Sequence, residues 1–197
     1  ACDGLARRYA ATKRPIDILV MSQGMATIQG HTPTVEGLDQ KLALHYYSRV
    51  ALATGLAPSL EASPDGRVLS VLSAGVHGSY RGYDRDPELL RSYSIKNAAD
   101  AAGFYGDVAL DKLAKDAHPT VLFLHGAPGF VATSWGTEMP AWIRVAVRGL
   151  QRLAGRSKED CAEFMVKGLF EAALEPGRGV HLFDQFGDRG PTTTPLH

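Results

Sequence analysis

Two short stretches, residues 16–24 (IDILVMSQG) and 67–75 (RVLSVLSAG), decide the fold. Each is an apolar run that ends in a glycine, which is the pattern of a strand buried on both faces and followed by a turn. Residues 120–125 and 179–183 form two further apolar runs of strand length. Buried strands of this kind belong to parallel sheets that helices cover on both faces. The sequence therefore predicts an α/β fold built on a parallel sheet.

Segments with helical periodicity separate these strands, as a parallel sheet requires. Apolar residues at about 38–57 recur at three- and four-residue spacing, which predicts a long helix that Pro58 ends. A second long helix is expected at about 93–116. A third is expected at 158–173, with Ser157 as its cap.

Composition sets the domain organisation and excludes some partners. The chain has 197 residues, of which 45% are hydrophobic and 21% are charged, so it can bury a substantial core. We expect one domain at 1–187 and a flexible tail at 188–197. No run of 18 apolar residues occurs, so no membrane span is predicted. Because 21 basic and 21 acidic residues are dispersed along the chain, nucleic acid is not expected as a partner.

Cysteine and histidine usage point away from metal and disulfide frameworks. Cys2 and Cys161 are the two cysteines of the chain, and such sparse usage is typical of a reducing compartment. We therefore expect a cytoplasmic protein. The seven histidines contain no His-x-x-x-His pair and no Cys-x-x-Cys motif is present, so no metal site is predicted.

Several motifs resemble, in order, the short-chain dehydrogenase/reductase family from its fourth strand onward. The turn at 21–24 (MSQG) replaces the family's Asn-Asn-Ala-Gly and keeps only Gly24. His45 stands where the family has an active-site asparagine, and Ser73 matches its catalytic serine. Residues 128–133 (PGFVAT) are similar to the Pro-Gly-x-Val-x-Thr that lines the nicotinamide end of the cofactor site. The resemblance covers nearly the whole chain, and residues 45–49, 97–100 and 135–138 also look like those of a divergent eukaryotic branch of the family.

The resemblance implies a Rossmann-like sheet whose first strands and helices are missing. Only fifteen residues precede Ile16, and none of them forms the Gly-x-x-x-Gly-x-Gly turn that binds a dinucleotide pyrophosphate. We therefore expect this chain by itself to bind neither NAD nor NADP appreciably. The residue that selects NAD or NADP would lie in the missing part.

The resemblance also implies an activity for the full-length protein, an NAD- or NADP-dependent interconversion of a carbonyl and an alcohol by hydride transfer. The residues that it assigns to the cofactor site are Gly24, Pro128, Gly129, Val131 and Thr133.

The family's acid/base tyrosine has a lysine four residues after it, and this chain departs from that spacing. Tyr105 has no lysine at that place. Tyr93 and Lys96 are three residues apart, which on a helix is about 60° around and about 4.5 Å along the axis, so both can reach one pocket. We predict a catalytic group of Ser73, Tyr93 and Lys96, with His45 and Tyr105 as second candidates.

Two functions remain open on these residues. Ser73 and the Pro-Gly motif favour an enzyme. The lost Asn-Asn-Ala-Gly turn, His45 in place of asparagine and the short Tyr/Lys spacing favour a degenerate fold that binds a ligand or partner without turnover. His45 is correspondingly either a proton-relay donor or a buried histidine with satisfied hydrogen bonds.

Two expectations concern partners. Residues Trp135, Met139, Pro140 and Trp142 follow the Pro-Gly motif, where the family carries a substrate lid, which suggests an apolar substrate; ordinary packing of a short helix is the alternative. The long helices at 38–57 and 93–116 are expected to pack side by side and to form a homodimer surface, with the small residues at 98–103 allowing close approach.

Overall fold

The structure is a computed structural model and describes residues 1–133 and 140–190. Within them, four parallel strands form one sheet in chain order. The strands are β1 (Ile18–Met21), β2 (Arg67–Val71), β3 (Leu122–Gly126) and β4 (His181–Phe183). The predicted α/β fold with a parallel sheet is confirmed.

Helices connect and cover the strands. They are α1 (Cys2–Ala10), α2 (Gln40–Leu42), α3 (Ser48–Glu61), α4 (Ile95–Lys112), α5 (Ala141–Ala154) and α6 (Lys158–Glu171). A π-helical turn, Ala43–Tyr47, joins α2 to α3, and a second one, Leu113–Ala117, continues α4. Ser157 caps α6 as predicted, because its side chain accepts a hydrogen bond from the amide of Asp160 at 2.9 Å.

Pro58 does not end its helix, and this expectation was wrong. Helix α3 continues to Glu61 with Pro58 inside it. A proline removes one backbone donor, but its carbonyl still accepts, here from the amide of Ala62 at 3.2 Å. Because the missing donor falls in the last turns of the helix, the chain finishes the helix before it leaves.

The two faces of the sheet bury separate apolar clusters. Met21, Val68 and Phe123 face α3 and α4. On the other face, Leu69 and Leu124 pack against α6. Strand β1 lies at the edge of the sheet, and its Val20, opposite Leu69 on the α6 face, stays 52% exposed. Open space is therefore left between β1 and α6.

The two long helical stretches pack side by side, as predicted. Leu42 of α2 is fully buried against Ala98, Ala101 and Ala102 of α4. The small residues that were expected to allow close approach are thus used inside the chain itself. The homodimer stays a prediction.

The two ends of the described region bear on the remaining expectations. Asp188 pairs with Lys167, and the amide of Gly190 donates to the carbonyl of Leu182 at 2.9 Å. Residues 188–190 are therefore held against β4, whereas residues 191–197 lie outside the described part. Of the expected apolar substrate wall, Trp135 and Met139 lie outside the described residues. Pro140 and Trp142 are exposed.

Candidate active site

The carboxyl ends of the strands meet at one edge of a parallel sheet, which is where such folds bind ligands. A cavity of about 730 Å³ opens there between β1, β2 and α6. All five residues predicted for the cofactor site line it, together with His45. Much of the remaining described wall is apolar and includes Val20, Leu69, Val71, Met165 and Leu169.

The imidazole of His45 is neutral in this cavity. Its Nε2 accepts a hydrogen bond from the amide of Met25 at 2.9 Å. Burial, followed by the positive charges of Arg49 and Lys41, lowers the pKa of His45 to about 4. The ring proton therefore lies on Nδ1, for which the described residues provide no hydrogen-bond acceptor. Nε2 is thus hydrogen-bonded within the protein, while the N–H at Nδ1 is left to donate to a ligand.

Arg49 supplies much of that positive field. Its side chain is only 4% exposed, and it donates to the hydroxyl of Ser70 at 2.7 Å and to the carbonyl of Gln23 at 2.6 Å. Neither partner carries a charge, and its buried Nε has no partner among the described residues. Burial lowers the pKa of Arg49 to about 10, so the side chain remains a cation at neutral pH.

Ser73 follows β2 and lies against α4. A Cβ atom at Gly103 would come within 2.5 Å of the Ser73 hydroxyl and within 2.7 Å of the His77 ring. Only glycine leaves this space, because real Cβ atoms do not approach so closely. The amide of Ser73 donates to Nε2 of His125 at 3.4 Å. Helix α4 and strand β3 thus fix the position of the serine.

Two histidines and an aspartate form a buried cluster behind Ser73. Nε2 of His77 lies 2.7 Å from Asp107, and Nδ1 of His125 bonds the other oxygen of the same carboxylate. The side chains of all three are about 1% exposed or less. Sequence reasoning missed this cluster, because its members come from three separate elements. The available signal was an aspartate on the apolar face of α4, next to Leu110.

Charges in the cluster are balanced. Burial raises the pKa of Asp107, but the hydrogen bonds from His125 and His77 outweigh it and bring the pKa to about 2. Burial lowers the pKa of His77, and the hydrogen bonds to Asp107 and to the Gly78 carbonyl, with the negative charges of Asp107 and Asp100, reverse this and raise it. Among the described residues, no group of three or more acidic, cysteine or histidine side chains has an arrangement suited to a metal ion.

The structure does not bring the predicted catalytic group together. The Tyr93 hydroxyl lies 2.6 Å from Nζ of Lys41, whereas the Lys96 ammonium pairs with the carboxylate of Asp100. Ser73 contacts α4 at Gly103, eight residues after the first residue of that helix and therefore about 12 Å along its axis. Tyr93 precedes the helix altogether. No hydrogen bond joins the two hydroxyls in the described residues.

Tyr105 also lies away from Ser73. Its hydroxyl donates to the carbonyl of Pro87 at 3.1 Å, and its ring packs against Tyr46 and Tyr80. Its neighbours are therefore those of a packed aromatic side chain.

Lys41 is the lysine that sequence reasoning missed. It is 5% exposed and donates to the carbonyl of Gln29 at 3.0 Å as well as to Tyr93. It precedes His45 by four residues, so the two side chains share one face of the helix. Because Lys41 and Tyr93 are 52 residues apart in the chain, no local spacing could reveal the pair.

Known proteins resemble this chain over much of its length. It is 36% identical over 118 residues to an "NmrA-like family domain-containing oxidoreductase notO" of Aspergillus sp. (strain MF297-2) and 34% identical over 132 residues to "Oxidoreductase AN1596" of Emericella nidulans. A "Short-chain dehydrogenase/reductase SAT2" of Stachybotrys chartarum is 29% identical over 158 residues. These matches cover 60%, 67% and 76% of this chain, but only 36%, 39% and 44% of the relatives. No family model matches.

Solved structures share the fold. An NADPH-bound carbonyl reductase from chicken fatty liver superposes with a TM-score of 0.62 at 11% identity, over 96% of this chain and 71% of that one. A short-chain dehydrogenase of Shigella flexneri complexed with NADP gives 0.59 at 16% identity, over 93% and 69%. The chain therefore has the fold of the short-chain dehydrogenases/reductases, and its relatives in sequence are named oxidoreductases or, in one case, a short-chain dehydrogenase/reductase. In the described part of this chain, no helix combines the length and apolarity that crossing a bilayer requires.

Proposed function

We propose that the whole protein, of which this chain forms a part, is an NAD- or NADP-dependent oxidoreductase that interconverts a carbonyl and an alcohol. One observation carries the proposal. The residues that the resemblance assigns to the cofactor site, Gly24, Pro128, Gly129, Val131 and Thr133, line one largely apolar cavity beside β2, the strand that Ser73 follows. Two structural neighbours that are bound to NADPH or NADP support the choice of cofactor.

The cavity suits a flat nicotinamide ring. Gly129 has φ +71°, and a Cβ there would come within 2.3 Å of Gln185, so glycine shapes this wall. Apolar side chains from β1, β2 and α6 form much of the remaining wall. The cofactor, when bound, supplies or accepts the hydride. His45 would hold a substrate or cofactor oxygen through Nδ1–H, in the place of the family asparagine.

Proton transfer is assigned to Tyr93, with Ser73 orienting the substrate oxygen. A lysine ammonium beside a phenol stabilises the phenolate and so eases proton transfer at that oxygen. The lysine in contact with Tyr93 is Lys41, since Lys96 is engaged with Asp100. Both hydroxyls must come within about 2.6–3.2 Å of one substrate oxygen, so substrate binding has to draw them together.

Kinetics of the whole protein test these roles. Reduction of apolar aldehydes and ketones should consume NADH or NADPH, and Tyr93→Phe should abolish it while leaving cofactor affinity nearly unchanged. Lys41→Met should lower kcat far more than Lys96→Met. Tyr83→Phe is the matched control, because this tyrosine is 44% exposed on the loop after β2, and it should leave kcat unchanged. Unaltered turnover in Tyr93→Phe would remove Tyr93 from the mechanism.

A second function is favoured by the separation of Ser73 from Tyr93. In that case the protein is a degenerate dehydrogenase fold that binds a ligand or partner without turnover. The same assay decides between the two, because a non-catalytic protein would bind NAD or NADP in calorimetry yet consume no reduced cofactor with any carbonyl.

Two further expectations belong to the whole protein. We propose that the whole protein is a homodimer. Hydrodynamic measurements at several protein concentrations check this, and a strict monomer at high protein concentration would contradict it. The chain of residues 1–197 alone should bind neither NAD nor NADP at micromolar concentration. Calorimetry that shows micromolar binding would mean that the cavity holds the cofactor without a glycine-rich turn.

A further inference from the structure

The loop after β2, residues 73–78, is tied to other elements through its backbone amides. The amide of Gly75 donates to Asp107 at 3.1 Å, and the amide of Gly78 donates to Asp100 at 2.9 Å. The amide of Ser73 donates to His125 at 3.4 Å. Because Asp100 and Asp107 lie two turns apart on one face of α4, this helix holds the loop at Gly75 and at Gly78, while β3 holds it at Ser73.

Hydrogen-bond partners define where the protons of His77 lie. Its Nδ1 is 3.0 Å from the carbonyl of Gly78, and its Nε2 is 2.7 Å from the carboxylate of Asp107. A carbonyl and an ionised carboxylate can only accept, so both ring nitrogens must donate. His77 is therefore an imidazolium cation, and it forms a buried ion pair with Asp107.

His125 has the opposite arrangement. Its Nδ1 faces the Asp107 carboxylate and must donate, whereas its Nε2 faces the amide of Ser73 and must accept. His125 is thus neutral, with its proton on Nδ1. Asp107 fixes this tautomer, and the tautomer in turn leaves a lone pair for the serine amide.

We propose that His77, Asp107 and His125 form a proton-held clamp that positions Ser73. While His77 carries both protons, Asp107 is neutralised and bonded on both oxygens, and His125 stays oriented toward the amide of Ser73. Removal of one proton from His77 breaks one of its two hydrogen bonds and leaves Asp107 without its buried counter-charge. The three are positioning residues, and only the task of Ser73 itself rests on the proposed function.

The other groups around His77 favour the protonated ring that the clamp requires. From α4 it faces Asp107 and Asp100, and across Asp107 it faces His125 of β3. Lys96 is held by Asp100 and is 79% exposed, so water screens its charge. The ring of Phe104 lies edge-on at 6.3 Å and adds no charge. The carboxylates thus dominate the field at His77.

Nitrogen NMR of the native 197-residue chain tests the proton positions directly. With ¹⁵N-labelled histidine at neutral pH, His77 should show two protonated ring nitrogens and His125 only a protonated Nδ1. On titration to higher pH, His77 should lose a proton. A neutral His77 at pH 7, or a His125 protonated on Nε2, would overturn the proposal.

Amide hydrogen exchange tests the coupling to Ser73. Protection of the Ser73 and Gly75 amides, corrected for intrinsic exchange, should fall about tenfold as His77 deprotonates.

In His77→Gln, protection of the same two amides should be low and independent of pH. His118→Gln is the matched control, since His118 pairs with Glu61 at the surface, and it should behave as the native chain. Protection in His77→Gln equal to the native value throughout the pH range would refute the clamp. If that variant does not fold, the titration of native His77 and native Ser73 exchange still decides.

The whole protein separates this proposal from the proposed function. In His77→Gln, kcat should fall about tenfold, cofactor affinity should stay unchanged, and the alkaline fall of kcat should disappear. A whole protein that reduces no carbonyl would defeat the proposed function, while proton positions and amide exchange would still judge the clamp.

Discussion

His45 borders the cavity, whereas His77 lies beside Ser73 against α4, and the two imidazoles differ in charge. Both are largely buried, and each bonds a backbone group of a loop that follows a strand. Near His45 the charges are Arg49 and Lys41, and the imidazole is neutral. At His77 the neighbour is Asp107, and the imidazole is a cation. Burial lowers the pKa of both rings, so the hydrogen bonds and negative charges at His77 account for the difference in protonation.

This difference divides the site by function. The His45 side is an open, apolar cavity whose buried cations contact neutral oxygen atoms. On the Ser73 side, the loop after β2 is held by hydrogen bonds from its amides to the carboxylates of Asp107 and Asp100. A ligand can therefore enter beside His45, whereas the Ser73 side gives rigidity to the group that orients it.

The largest effect is expected when the carboxylate side loses its charge. Asp107→Asn removes the carboxylate that bonds the buried His77 imidazolium and leaves it the charge of Asp100 without that hydrogen bond, which should cost about 3–5 kcal/mol of unfolding free energy. Urea unfolding measures it. Asp116→Asn at the exposed end of the same helical stretch, where Asp116 pairs with Lys112, is the control and should change nothing measurable. Equal stability of the two variants would show that His77 is not charged.

The pH dependence of stability should have one flank from each histidine. The folded-state pKa of His45 is lowered to about 4, so the unfolding free energy should drop as pH falls from about 6.5 toward 4, by on the order of 1–3 kcal/mol. The folded-state pKa of His77 is raised, so its stabilisation should be complete below about pH 6.5 and lost as pH rises through the folded value.

Single substitutions should remove these flanks one at a time. His45→Asn should reduce the acid flank, to which His181 with its lowered pKa also contributes, and His77→Gln should flatten the alkaline flank. Urea unfolding at a series of pH values measures both. If His77→Gln also flattened the acid flank, the two sides of the site would not be independent.

A smaller effect is expected from closing the space beside Ser73. Gly103→Ala puts a Cβ within 2.5 Å of the Ser73 hydroxyl, which should destabilise by about 1–3 kcal/mol despite the better helix propensity of alanine. Gly149→Ala in α5 is the matched control, because nothing lies within 4 Å of that Cβ, and it should stabilise by about 0.5–1 kcal/mol. Thermal unfolding distinguishes the two signs.

The smallest expected effect concerns the contribution of Arg49 to the pKa of His45, on the cavity side of the site. Arg49→Met removes a buried positive charge, so the pKa of His45 should rise above about 4. The change should be limited, because burial is the larger cause and Lys41 remains. An NMR titration of the His45 ring measures it, with Arg85→Met on the exposed loop as a control. A lower pKa in Arg49→Met would contradict this account of the field.

The fold was predictable because its signals are local. Apolar runs marked all four strands, and Ser157 marked the start of α6. Helix α5 was not predicted, and its Trp142 and Leu153 are largely exposed, so its apolar residues do not report burial in the core. Pro58 misled because a proline near the end of a helix removes only one hydrogen bond.

The site divides in the same way. The residues of the Pro-Gly motif are contiguous, and the structure places them together on the cavity. By contrast, Asp107 is 30 residues from its partner His77 and 18 residues from its partner His125. Lys41 is 52 residues from Tyr93. Such pairs depend on tertiary packing, which no spacing within one element encodes. The catalytic roles of Ser73, Tyr93 and Lys96 stay predictions.

The buried cluster of His77, Asp107 and His125 also constrains how the sequence can change. Each single replacement takes away a partner of a buried charge or ring nitrogen, whereas joint replacement by apolar side chains of similar volume removes the charges together and leaves only the amides of Ser73 and Gly75 to find other acceptors. Substitutions at the three positions should therefore covary among homologues. A lineage that exchanges the aspartate for an aliphatic residue is expected to carry non-ionisable residues at both histidine positions.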